Sequence, residues 1–167
     1  MFIHESVDLA QLKRKNTEEG RRYETPSGAL YPSVTTILSH KSKPFIQAWR
    51  KRIGEKEADK ISSRAARRGT KIHHLVEQHL NNETEKEQEG ILTLDYIDKE
   101  MYFNMKDLLE DINNIRCLES TMYSDHLRLG GQVDCIEEYK GHLSFIDFKT
   151  STKRKTRSQC YNYFIQC

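Results

Sequence analysis

Cysteine is scarce in this chain and poorly spaced for metal. Its four cysteines, Cys117, Cys135, Cys160 and Cys167, include no C-x-x-C pair. The spacing that builds a zinc site is therefore missing, and free thiols are expected. No apolar run is long enough to span a bilayer, so no membrane partner is expected. The opening residues, Met1-Phe2-Ile3-His4-Glu5, lack the basic-then-apolar order of a signal peptide. They also lack the Arg-rich, acid-poor character of a transit peptide. Charge of one sign is missing too: 27 Lys and Arg face 25 Asp and Glu, a formal charge of +2. That balance alone predicts no polyanionic partner.

What is present is charge in particular places. At 167 residues, 36% hydrophobic and 31% charged, the chain has the size of one domain with a modest core. Basic residues gather at 41–52, 64–71 and 149–157, and acids between Glu83 and Glu89. Each run taken alone reads equally well as a solvated face.

One stretch stands out. Residues 129–136 and 144–150 read as the strands of a β-hairpin, yet they carry Asp134, Asp147 and Lys149 among apolar neighbours. Buried charge is costly unless it is paired or holds a metal. Asp147 and Lys149 are two apart and share a face. If Lys140-Gly141 is the two-residue loop, Tyr139 pairs with His142 and Asp134 falls opposite Asp147. Their Cβ atoms would then be about 4.5–5.5 Å apart, with Gln132 facing Lys149. A four-residue loop keeps this register, whereas a loop one residue longer or shorter puts the acids on opposite faces. Two carboxylates so close need a cation or a shared proton between them. A divalent ion with oxygen ligands is the natural occupant.

Along the rest of the chain, residues 1–20 read as a loose N-terminal segment, and 21–31 as a small hairpin with a Pro/Gly turn. Ser33 is placed to cap a helix, and Pro44 to open a second short one containing Trp49, which reads as a core anchor ahead of the alternative, a base-stacking platform. Residues 55–80 read as a long helix, in which Gly69, His73, Val76 and Leu80 form one face. His74 falls on the wet side. His73 is either a satisfied core histidine or a ligand. Glu77, one turn later, either orients His73 or is a surface acid. Residues 81–90 read as a charged loop, and 93–115 as a second long helix with an apolar packing stripe. Residues 117–123 read as a strand in which Glu119 has the same ambiguity as Glu77. The hydroxyl-rich, basic stretch Thr150-Ser151-Thr152-Lys153-Arg154 suits contacts to phosphate oxygens, or is a solvated loop. A last helix is expected over 159–167.

Gly131-x-x-Asp134, a short hairpin and then Asp147-x-Lys149 resemble the PD-(D/E)XK nucleases. The run Arg68-Gly69-Thr70-Lys71-Ile72-His73, followed by Glu77, resembles the histidine motif of their RecB-like exonuclease branch. Further similarity lies in residues 32–35, 118–120, 130–138 and 146–151. The resemblance implies a restriction-endonuclease-like three-layer α/β fold, with a mixed central sheet flanked by helices. It implies that His73, Asp134 and Asp147 bind Mg²⁺ or Mn²⁺ with help from the Phe148 carbonyl, and that Lys149 orients the attacking water. Val133 stands where the motif often has proline. In that branch a Q-x-x-x-Y pair follows the lysine. Gln159 and Tyr163 have the spacing, but Gln166 fits the position better, and its tyrosine partner would lie past Cys167.

The expectation is therefore a single nuclease domain over residues 21–167, incomplete at its C-terminus. It would be a Mg²⁺- or Mn²⁺-dependent DNA exonuclease preferring single-stranded ends, in the cytoplasm of a bacterial or phage-infected cell. Asp134, Asp147 and Lys149 are the expected catalytic residues, and Thr150, Ser151, Lys153, Arg154 and Gln166 the expected DNA contacts. The alternatives are a catalytically impaired DNA-binding module of the same fold and a structure-specific endonuclease.

Overall fold

A computed structural model describes residues 1–151. Lys153, Arg154, Gln166 and the helix expected over 159–167 lie outside the described residues. In chain order the elements are β1 (Lys13–Thr17), β2 (Gly20–Glu24), β3 (Leu30–Pro32), α1 (Val34–Ile53) and α2 (Glu55–Leu80). Then follow α3 (Thr84–Leu92), α4 (Tyr96–Leu109), β4 (Ile112–Ser124), β5 (Leu129–Tyr139) and β6 (His142–Ile146). The chain is of the mixed α/β class, with two three-stranded sheets ordered β1-β2-β3 and β4-β5-β6. No helix among the described residues is long and apolar enough to cross a membrane.

The chain divides into two compact units. The first comprises Met1–Val7, Arg64–Glu119 and Asp134–Cys167. Its core forms where α2 turns Ile72, Leu75, Val76 and Leu80 onto Leu94, Tyr102 and Leu109, with Ile112 and Ile115 of β4 and Cys135 of β5. Each buried leucine, isoleucine or valine there stabilises the fold by about 1.5–3 kcal/mol. Arg68 on α2 donates through Nε to Asp98 on α4 in a buried ion pair, which ties the two helices together. The β5–β6 register runs from Tyr139↔His142 to Cys135↔Ile146. Lys140 (φ 53°) and Gly141 (φ 79°) make the two-residue loop, the turn whose twist matches the flanking strands.

Three expectations for this unit need correction. Residues 1–7 are not loose: a parallel bridge joins His4 to Ile115, and the Glu5 and Val7 amides donate to the Ile115 and Arg116 carbonyls at 2.8 and 3.0 Å. These are backbone contacts, so no side-chain pattern announces them. The expected loop at 81–90 is largely α3, which runs from Thr84 to Leu92. Its charged residue Glu87 is only 4% exposed. One carboxylate oxygen accepts from the Tyr102 hydroxyl at 2.7 Å and the Lys106 ammonium at 2.6 Å, the other from His79 Nδ1 at 3.0 Å. Burial alone would raise this carboxyl, but the hydrogen bonds from Lys106, Tyr102 and His79 outweigh it and bring the pKa down to about 2. Finally, the expected helix at 93–115 ends at Leu109, and β4 begins at Ile112. Asn114 adopts φ 45° and interrupts the strand's alternation. Ile112 and Ile115 therefore both point inward at a spacing that imitates a helix.

The second unit comprises Asp8–Ser63 and Ser120–Val133. The hairpin expected at 21–31 is β2–β3, paired Tyr23↔Tyr31. β1 adds to its edge, where a loose segment is expected. All five β1 residues are exposed, so no hydrophobic alternation marks the strand. Tyr23 is 1% exposed and packs on Gly130, where an added Cβ would lie 2.8 Å from the tyrosine Cβ. Ser33 caps α1 as expected, its hydroxyl accepting the Thr36 amide at 2.9 Å. Pro44 does not open a new helix but lies inside α1. It forgoes one backbone hydrogen bond, while helical turns on either side keep theirs. Trp49 is half-buried rather than a core anchor, and α1 buries no residue.

Candidate metal centre

The site is built in the first unit from α2, β4, β5 and the residues just after β6. On α2, the buried Ile72 and Val76 fix the helix's rotation. His73, on the margin of that stripe, is left half-buried. On β5, Cys135 points into the core, so Asp134 faces the opposite side. On β4, Glu119 takes φ 46°, a left-handed conformation inside a strand.

These three side chains converge. His73 Nδ1 lies 3.6 Å from Glu119 Oε1 and 3.6 Å from Asp134 Oδ2. One ligand atom from each of His73, Glu119 and Asp134 lies within 4.8 Å of the others. Phe148 organises the cluster through its backbone. Its amide donates to Asp134 Oδ2 at 2.7 Å, and its carbonyl accepts from His73 Nε2 at 2.7 Å. Its ring, buried in the core, meets the His73 ring edge to face at 6.2 Å. A carbonyl only accepts, so Nε2 carries the proton. In the neutral ring, Nδ1 then presents its lone pair to two carboxylates. Lone pairs so arranged are satisfied by a cation or a shared proton among them.

A divalent ion fits this donor set. Ligands about 2.1 Å from an octahedral ion stand about 3–4.2 Å from one another, and the 3.6 Å separations fall inside that range. One imidazole with two carboxylates is a donor set that divalent ions accept. Burial raises the Asp134 carboxyl above its ordinary pKa, and the Asp147 charge adds to the rise. The Phe148 amide, His73 and Lys149 oppose it.

β6 stops at Ile146, one residue before the register would set Asp147 against Asp134. Asp147 instead accepts a 2.6 Å hydrogen bond from the Lys149 ammonium. The structure therefore brings together His73, Asp134, Phe148 and Glu119, with Asp147 close enough for its charge to act on Asp134. Glu77 lies elsewhere: its carboxylate is 3.6 Å from His74, on the wet side of α2. The acid beside His73 is Glu119, whose sequence signal is its place in an expected strand and in the 118–120 stretch of the resemblance. Thr150 is half-buried and Ser151 exposed.

The sequence profile described as the PD-(D/E)XK nuclease superfamily matches residues 33–167. The chain is 34% identical over 134 residues to mitochondrial genome maintenance exonuclease 1 of Homo sapiens, covering 74% of this chain and 38% of the relative. It is 30% identical over 138 residues to the Mus musculus protein of the same name, covering 74% and 38%. For the Xenopus tropicalis protein the identity is 29% over 135 residues, covering 74% and 37%. The chain thus spans less than two fifths of the length of the curated relatives it matches.

Proposed function

This chain belongs to the PD-(D/E)XK nuclease superfamily, and from that premise we propose that it is a divalent-metal-dependent DNA exonuclease acting from single-stranded ends. The observation that carries the proposal is the His73–Glu119–Asp134 cluster, with the Nδ1 lone pair directed at two carboxylates. The names of the relatives, which carry the word exonuclease, support a mode of attack from strand ends.

His73, Glu119 and Asp134 would hold the ion, with Asp147 beside them. Bound Mg²⁺ or Mn²⁺ supplies Lewis-acid stabilisation of charge on the phosphate and lowers the pKa of water. The residues of the chain do the positioning. The Phe148 backbone fixes the Asp134 carboxylate and the His73 ring together, so both ligands are aimed before an ion arrives. The Asp147 carboxylate holds the Lys149 ammonium at 2.6 Å. From there the ammonium orients the attacking water and stabilises negative charge developing on the phosphoryl oxygens. Thr150, Ser151, Lys153, Arg154 and Gln166 are assigned to the substrate backbone.

The test is cleavage of end-labelled linear single strands, linear duplexes and circular single strands, with Mg²⁺, Mn²⁺ or chelator, beside Asp134→Asn and Lys149→Ala. The proposal expects metal-dependent release of short products from linear single strands, intact circles, and loss in both variants. Cut circles would instead identify an endonuclease. Binding without cleavage at any metal concentration would identify an impaired DNA-binding module.

A further inference from the structure

Charge is divided unevenly between the two units. The second carries thirteen Lys and Arg against eight Asp and Glu, and the first fourteen against seventeen. The acid-rich unit holds the metal cluster. The base-rich unit carries an aromatic pair that its fold does not consume.

Tyr31 on β3 shares a sheet face with the buried Tyr23, its register partner. Unlike Tyr23, it is only half-buried. Its hydroxyl donates to Asp125 Oδ1 at 2.7 Å, so the ring is held from its polar tip. Tyr123, near the end of β4, is 37% exposed. The two rings lie 6.5 Å apart, inclined at 37°. The turn that carries Asp125 is closed by the Leu127 amide, which donates to Ser124 Oγ at 3.2 Å. It ends at Arg128, an exposed residue at φ 51° whose charge acts on the Tyr31 phenol.

Tyrosines that serve a core are covered, as Tyr23 is. Two rings left partly in water, one of them held by a hydrogen bond, in a base-rich unit with a guanidinium whose charge reaches that same ring, have the ingredients that grip unpaired bases: π-faces for stacking and cations for phosphate. We propose that Tyr31, held by Asp125, and the neighbouring Tyr123 form a stacking platform for the bases of single-stranded nucleic acid, with Arg128 taking a phosphate. A duplex keeps its base faces stacked on one another, so the platform selects single strands. It rests on the nuclease reading for its partner and supplies that reading with a physical source of strand preference.

The test is binding, measured by fluorescence anisotropy in chelator so that no cleavage intervenes. The probes are a short labelled oligothymidylate and an abasic strand of the same length. Stacking on one aromatic side chain predicts that Tyr123→Leu weakens oligothymidylate binding by about 5- to 150-fold, while abasic binding holds and Tyr123→Phe restores the loss. Tyr31→Leu repeats the effect, with circular dichroism confirming the fold. Equal losses on both probes, no loss on either, or wild-type binding indifferent to bases overturns the platform. The two readings fail separately. A wild type that cleaves while Tyr123→Leu keeps base-dependent binding sinks only the platform. A wild type that binds bases through Tyr123 and never cleaves sinks only the nuclease reading.

Discussion

Replacing Glu137 with Gln should make the chain more stable, and by an amount that depends on pH. Glu137 sits on β5, fully buried, and neither of its carboxyl oxygens meets a hydrogen-bond partner among the described residues. Across the hairpin its register partner is Ser144, but that hydroxyl donates to the His142 carbonyl at 2.9 Å. Burial, and secondarily the charge of Glu138, push the Glu137 carboxyl up from 4.5 to about 7. Between those values the folded chain holds a proton that the unfolded chain has released. Stability therefore falls as pH rises from 4.5 to 7. Each pH unit in that interval costs about 1.4 kcal/mol, for a total of about 3 kcal/mol. That is a large share of the roughly 5–15 kcal/mol that keeps a domain folded. The assay is urea unfolding of wild type and Glu137→Gln at several pH values from about 4.5 to 8. Other groups titrate in this window, so the difference between the two proteins is the quantity to follow. It should be near zero at the acid end and reach about 3 kcal/mol in favour of the variant by about pH 8. A difference that does not change with pH would mean that Glu137 is not held protonated in the folded chain.

Glu87 should behave with the opposite sign. Its pKa is held at about 2, below the ordinary 4.5. Its contribution of about 3 kcal/mol is present above about pH 4.5 and lost as pH falls through about 2; urea curves for Glu87→Gln should lie below wild type at about pH 7 and converge on it in acid. Gly130→Ala should cost about 1–3 kcal/mol by overpacking, because its new Cβ would meet the Tyr23 Cβ at 2.8 Å; an unchanged midpoint in thermal unfolding would contradict this. Lys149→Ala should lower kcat by about 100-fold or more, as for loss of a transition-state charge donor, while leaving KM for the strand within a few-fold; a change in KM alone would remove Lys149 from the chemistry.

How legible these features are in the sequence depends on whether their cause is local. The β5–β6 register follows from the Lys140-Gly141 loop, whose two residues accept positive φ. A period of two then carries the alignment up to Cys135↔Ile146. His73 can be separated from His74 because α2 keeps its 3.6-residue period beside the buried Ile72 and Val76. Nonlocal causes leave no such trace. α3 depends on a carboxylate that meets donors from α2 and α4, so its sequence reads as a polar loop. β4 is disguised by one left-handed residue, Asn114, and Glu119 owes its direction to another irregularity of the same kind. β1 has no buried side at all. The place of Glu119 beside His73 rather than Glu77 is a fact of strand geometry, and no spacing in the sequence encodes it.

Above all, His73, Glu119 and Asp134 are proposed to hold a divalent ion. Titration of the chain with Mn²⁺, followed by loss of the free-ion electron paramagnetic resonance signal, tests this directly. Wild type should bind Mn²⁺ saturably, in competition with Mg²⁺, and binding should weaken about 10-fold or more in each of His73→Gln, Glu119→Gln and Asp134→Asn. Wild type and all three variants binding Mn²⁺ alike, or none of them binding it, would contradict the claim.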